Sequence, residues 1–353
     1  MSINTRHSNI ELLRIVSMIM VVMLHFNNHG YNTGLLILSD EISSQYLFGH
    51  LIESFCIIAV HCFVLISGYC GIRFKVKSLF NLYLDCFFAG MIGYLLWVLL
   101  SPEAKLGVSV LGRLFAFSHN HWWFITTYLG LYFLSPTLNY AMNLVSKREG
   151  TVIVLLFLLY CLWTYYWNWY NDGMLPLFIC LYCIGRYVRR FVDGGFIRNN
   201  RWKWLLSYCF CSLITFSFVL LILLFPQNKL IHRFDPYNYY ALFIIVAAVS
   251  MLLFSLSFSF NSKIVNRVAS SCLSVYLLQE SPYFGYNVLY PWVESVFPTL
   301  NHQFFFYVGI SLTFFLCAVL IGLFIQFFCS PIRSYFETII EPKMVKFYVW
   351  KVC

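Results

Sequence analysis

Apolar stretches as long as a bilayer is thick recur along this chain, and they restrict its possible folds more than any other feature. A helix that crosses the hydrocarbon needs about 20 largely apolar residues, because in lipid the backbone must satisfy its own hydrogen bonds. Ten segments meet that requirement, at roughly residues 9–27, 47–71, 78–100, 122–145, 151–169, 174–192, 204–226, 239–260, 270–289 and 304–329. Leu106–Phe117 is apolar but too short to cross. Only 10% of the 353 residues are charged, against about 25% in a soluble domain. The expectation is an all-α, polytopic membrane bundle of about ten helices, forming one domain over residues 1–353 with no soluble appendage.

The basic residues orient this bundle. With the N-terminus in the cytoplasm, Lys105, Arg113, Lys229 and Arg233 fall outside, and the other nineteen of the 23 Lys and Arg fall inside. That alternation follows the positive-inside rule and predicts that both termini are cytoplasmic. The net charge of +9 is therefore a topology signal. It leaves no basic tail or motif for nucleic acid. No small-residue cleavage site follows the first apolar run, which reads as a retained helix rather than a signal peptide. Most of the 13 cysteines lie inside apolar runs, including the pair Cys180 and Cys183. There they act as small hydrophobes, so neither a disulfide framework nor a metal site is expected.

Against this background the first helix, NIELLRIVSMIMVVMLHFNNHG from Asn9 to Gly30, is unusual. It carries Glu11, Arg14 and His25, although a central Arg in hydrocarbon costs about 3 kcal/mol or more. Arg14 and His25 are separated by almost three helical turns, roughly 16 Å, and so project from one face. Snorkelling to the two headgroup layers explains each residue alone, but it imposes no angular relation between them. The shared face points to a functional stripe, with Glu11 placed to pair with Arg14 one turn away.

Other polar groups lie in or beside apolar segments. Glu280 falls in the ninth segment, one turn after Tyr276, and needs a partner, with His25 and Arg113 as candidates. Pro282 follows and suggests a kink. His61 and Asp85 lie within spans, where contacts between helices explain them as well as catalysis does. His50 and His302 fall in or beside outer loops.

The Arg-x10-His pattern in IELLRIVSMIMVVMLHF resembles the signature of the bacterial membrane acyltransferase-3 family, which O-acylates surface polysaccharides. VHCFVLISGYCGIR, from Val60, is similar to that family's segment ending in a Ser-Gly-aromatic turn. HWWFITTYLGLYFLSPTLN, from His121, resembles its Trp-Phe helix with a following Pro. SCLSVYLLQE, from Ser271, resembles its late Tyr-Leu motif, with Gln279 where the family usually has His. The likeness covers nearly the whole chain and includes the ten-span count.

The resemblance implies an O-acyltransferase, specifically an acetyltransferase, of the bacterial inner membrane. It would carry an acyl group from cytosolic acetyl-CoA to a hydroxyl of an envelope or capsular polysaccharide or its lipid-linked precursor, with no metal. His25 would be the general base, Arg14 would hold the donor side of the same pore, and Glu280 would orient His25 or the acceptor. Ser67, Gly68, Arg73, Lys75 and Lys77 would bind the donor, the cations meeting its phosphates. Arg113, His121, Trp123, Tyr128, Tyr276 and Gln279 would meet the acceptor. A covalent acyl-enzyme on His25, Tyr128 or Tyr276 is an open alternative to direct transfer. Two rival classes remain: a transporter of a lipid-linked sugar or small solute, whose aligned charges would couple ions, and a sensory or scaffolding domain, which has no need of His25.

Overall fold

The computed structural model describes residues 7–31, 44–102, 122–167, 173–228, 231–297, 304–336 and 338. Among these residues there are helices and no strands. The longer ones are α1 (Ser8–Tyr31), α2 (Ser44–Cys56), α3 (Ala59–Cys70), α4 (Val76–Leu100), α5 (Trp123–Leu144), α6 (Lys147–Trp167) and α7 (Leu175–Phe191). A short α8 (Gly194–Asn199) leads to α9 (Arg201–Leu224) and α10 (Leu242–Leu256). The chain ends through α11 (Lys263–Ala269), α12 (Cys272–Gln279), a π-helical turn (Gly285–Leu289), α13 (Tyr290–Val296) and α14 (Phe304–Tyr335). Among the described residues six helical stretches are long and apolar enough to cross a membrane: Ser8–Gly30, Ser44–Cys70, Val76–Leu100, Lys147–Trp167, Arg201–Leu224 and Phe306–Tyr335. The protein is a multi-pass, all-α membrane bundle.

The helix that carries Glu11, Arg14 and His25 stands at the centre. α1 packs on α2, α3, α10, α11, α12, α13 and α14. Its N-terminal half sends Ile10 and Leu13 into a core shared with Leu65, Phe178 and Tyr182. Its C-terminal half sends Val22 and Phe26 into a second core with Leu277, Phe297 and Phe315. By contrast α6 exposes Val152, Leu155, Leu156, Leu159 and Trp163. This suits a peripheral helix whose side chains face lipid, since hydrocarbon is as good a solvent for Leu as a protein core.

Without a hydrophobic drive between helices in lipid, close association relies on small residues. A Cβ on Gly68 of α3 would lie 2.2 Å from the Tyr182 carbonyl oxygen, and one on Gly185 of α7 would lie 2.4 Å from the Leu65 oxygen. The two backbones touch because neither position carries a side chain.

Two apolar segments fold differently from the uninterrupted spans expected of them. The second is broken into α2 and α3 by a turn at Ile57 and Ile58. The ninth breaks after Gln279 and resumes only as the π-helical turn, so Glu280 caps a short helix instead of lying within a long one. Pro282 supplies no N–H and disfavours helical geometry at Ser281. Ser281 Oγ instead accepts the N–H groups of Tyr283 and Phe284, each at 3.4 Å. The chain then folds back so tightly that a Cβ on Gly285 would sit 2.1 Å from the Gln279 carbonyl oxygen. His50, expected beside a loop, is fully buried on α2 and meets the Tyr237 hydroxyl at 2.7 Å.

Candidate active site

The break after α12 delivers Glu280 to α1. The carboxylate side chain is only 6% exposed. Burying a carboxylate without partners costs several kcal/mol or more, and here three groups converge on it. His25 Nδ1 lies 2.6 Å from Oε1. The Tyr290 hydroxyl donates to Oε1 and sits 3.0 Å from His25 Nδ1. The Tyr286 hydroxyl donates to Oε2 at 3.0 Å. The imidazole side chain keeps 27% of its surface exposed. With Nδ1–H held by Glu280, Nε2 is left as a proton acceptor, the arrangement in which a base is oriented by a third group. Gln279 fixes the register, since its amide donates to the Val22 carbonyl at 3.3 Å while being fully buried itself.

At the N-terminal end of α1 the chemistry is different. Arg14 forms an ion pair with Glu11 and lies within electrostatic reach of Cys70, Cys272 and Tyr128. Beside it opens a cleft of about 560 Å³ whose walls include Glu11, Tyr69, Arg73, Lys75 and Arg189. The loop carrying Arg73 and Lys75 is held rigidly. Gly71 takes φ +74°, and Ile72 N–H donates to the Tyr182 hydroxyl at 3.0 Å while its carbonyl accepts from Asn139 at 2.7 Å. The Tyr132 hydroxyl accepts the Lys75 N–H at 2.7 Å and reaches the Lys75 carbonyl at 3.0 Å. Arg189 stands over the Tyr69 ring, 5.1 Å from its centroid, and donates to the Tyr69 hydroxyl at 3.0 Å. Such a loop offers its exposed cations to an anion from a backbone that is already held in place.

Between the two ends runs a lane of side chains. The Ser67 and Tyr128 hydroxyls are 3.3 Å apart. Tyr128 stacks on Phe124, with ring centroids 5.8 Å apart, and Phe124 meets Tyr276 edge-on at 5.9 Å. Tyr276 is one turn before Glu280 on α12. Arg14, Ser67, Tyr128, Tyr276, Glu280 and His25 are thus brought into one tract. Other candidate residues have different surroundings. Gly68 faces the backbone of α7 rather than the cleft. Lys77 is not part of the cleft wall. Trp123 packs against Phe178 and Tyr239. Arg113 and His121 lie outside the described residues. Asp85 on α4 is bound by Arg333 on α14, and His61 Nε2 on α3 sits 2.8 Å from the carbonyl oxygen of Tyr239 in the turn before α10.

Sequence reasoning missed Tyr286, Tyr290 and Arg189. The tyrosines follow Glu280 by six and ten positions, and the chain reversal at Pro282 and Gly285 hides that relation. A straight helix through Glu280 would point them elsewhere. Arg189 is one of several cations in a row and was absorbed by the topology signal.

Among the described residues no group of three or more His, Cys, Asp or Glu could hold a metal ion. A family profile described as an acyltransferase domain matches residues 7–327. No curated protein and no solved structure matches the chain.

Proposed function

The chain belongs to the acyltransferase-3 family and is a membrane acyltransferase, and from that premise we propose a reaction in which an acetyl group passes from cytosolic acetyl-CoA to a hydroxyl of a bacterial envelope polysaccharide or its lipid-linked precursor. The observation that carries this reading is the pairing of a partly exposed imidazole, held by a buried carboxylate, with a basic cleft at the opposite end of one continuous helix. Arg73, Lys75 and Arg189 bind the phosphates of the donor. Arg14 and the Ser67–Tyr128 hydroxyls guide the thioester arm toward His25. Both termini are cytoplasmic, and the membrane is the bacterial inner one.

His25 then works as the general base. Its Nε2 takes the proton of the acceptor hydroxyl as the oxygen attacks the thioester carbonyl carbon. The C–O bond forms, the C–S bond breaks, and the proton passes from His25 to the departing thiolate. Glu280 stabilises the imidazolium while it lasts, and Tyr290 holds both partners in register.

The test is transfer by the purified protein in proteoliposomes, using radiolabelled acetyl-CoA and a lipid-linked oligosaccharide acceptor. Ester formation that depends on His25 supports the reading. CoA neither bound nor released, together with ion-driven movement of the sugar lipid, would replace it with transport.

A further inference from the structure

The His25 end of α1 carries a second imidazole. Two helical stripes meet there. His25 and His29 are one turn apart on α1, and Tyr286, Tyr290 and Glu294 follow at one-turn intervals along the π turn and α13. His29 Nδ1 lies 3.3 Å from Glu294 Oε1. The His29 ring stacks on Tyr290 with centroids 3.6 Å apart and planes at 11°. It also meets the Tyr286 ring edge-on at 6.5 Å. A second imidazole–carboxylate pair therefore stands directly outside the first, with Tyr290 in contact with both.

The two pairs differ in exposure. Side-chain exposure is 6% at Glu280 and 27% at His25, then 31% at His29 and 56% at Glu294. Tyr286 is 48% exposed as a residue. Among the described residues, the one polar contact of Glu294 is to His29. An ionised carboxylate has about four acceptor sites, so most of its capacity faces outward. A pair this exposed does nothing to bury Glu280, and an exposed pair of this kind adds little stability. Its place one turn, roughly 6 Å, from His25 suits a ligand that offers several hydroxyls. One hydroxyl would reach His25 Nε2 while neighbours on the same ring donate to Glu294. The half-exposed Tyr286 ring offers an apolar face beside them.

We propose that His29 and Glu294, with the Tyr286 ring, form the recognition subsite for a polyhydroxylated, sugar-like acceptor, holding its non-reacting hydroxyls while His25 acts on the next one. The inference rests on the acyltransferase reading for its reaction, and on the geometry of the two stripes for its ligand class. A site built to bind hydroxyls discriminates against analogues that lack them, because its polar groups are then left unpaired.

The experiment measures acetyl transfer by the full chain to two probes, methyl glucopyranoside and ethanol, in the wild type and in Glu294→Gln, Glu294→Asp and His29→Gln. Loss of a hydrogen bond to a charged group predicts a rise of about 10- to 100-fold in KM for the pyranoside in Glu294→Gln. His29→Gln raises it less and Glu294→Asp restores part of the loss, while kcat/KM for ethanol and the KM for acetyl-CoA move less than about twofold. A pyranoside KM unchanged in Glu294→Gln overturns the subsite. So does an equal fall for both acceptors, which would make the pair a mere support for Tyr290. Calorimetric binding of methyl glucopyranoside separates this proposal from the reaction it rests on. Binding that Glu294→Gln abolishes upholds the subsite even where no acetyl is transferred, and absence of binding to the wild type overturns it.

Discussion

The two ends of α1 hold charge in opposite ways. At the C-terminal end one carboxylate is buried and closed in by His25, Tyr286 and Tyr290. At the N-terminal end several cations line an open cleft, each on its own stem. A closed network fails when one member is lost, because the remaining groups stay buried without partners. An open cluster loses its members one at a time, because water and counterions replace each missing charge. On the proposed reaction the first end therefore governs turnover and the second governs donor affinity.

The largest effect that could break this comparison is His25→Ala. General-base catalysis contributes about 10²–10⁴-fold, so kcat falls by that order while CoA binding to the purified protein persists. Acetylation at a near-normal rate in this variant would falsify the role of the helix. Glu280→Gln comes next. It keeps the shape of the side chain but removes the charge that orients His25 and stabilises its protonated form, and kcat drops on the order of 100-fold with the donor KM unchanged. A donor KM that rose in step with the lost kcat would mean that the two ends are not separate.

The cleft predicts smaller effects on a different constant. Neutralising Arg73 and Lys75 together raises the KM for acetyl-CoA roughly tenfold and flattens its dependence on salt, since exposed charges act through screened fields. Full salt sensitivity in that double variant would leave these residues with topology alone. Arg14→Lys sharpens the boundary between the ends. The charge near Glu11 survives but the planar fork does not, so donor binding weakens by only a few fold, whereas Arg14→Ala weakens it further. Isothermal calorimetry with CoA measures both.

The packing makes its own prediction. Ala at Gly285 has to displace the Gln279 carbonyl and with it Glu280. A loss of about 1–3 kcal/mol in stability should therefore come with a fall in kcat, seen in thermal unfolding and transfer assays. Gly68→Ala meets an equally close carbonyl, that of Tyr182, at the junction of α3 and α7. It should lower stability by a similar amount with less effect on kcat.

The apolar segments by themselves determined the class of the fold, because a run of about 20 apolar residues has few fates other than a helix in lipid. The spacing of Arg14 and His25 placed both on one face of α1, since α1 runs unbroken from Ser8 to Tyr31 and helical geometry is then arithmetic. Glu280 could be named as needing a partner, because a buried carboxylate always does. Which partner it meets was decided by tertiary structure alone. The reversal at Pro282 and Gly285 turns the ninth segment back on itself and brings Tyr286 and Tyr290 to Glu280 beside His25. Gly68 shows the same limit from the other side. A small residue beside a candidate site permits close approach by a ligand or by a helix, and only the assembled bundle shows α7 there. Helix formation depends on contacts a few residues apart and is legible from local sequence. The meeting of residues far apart in the chain depends on how the helices pack, and no local pattern encodes that.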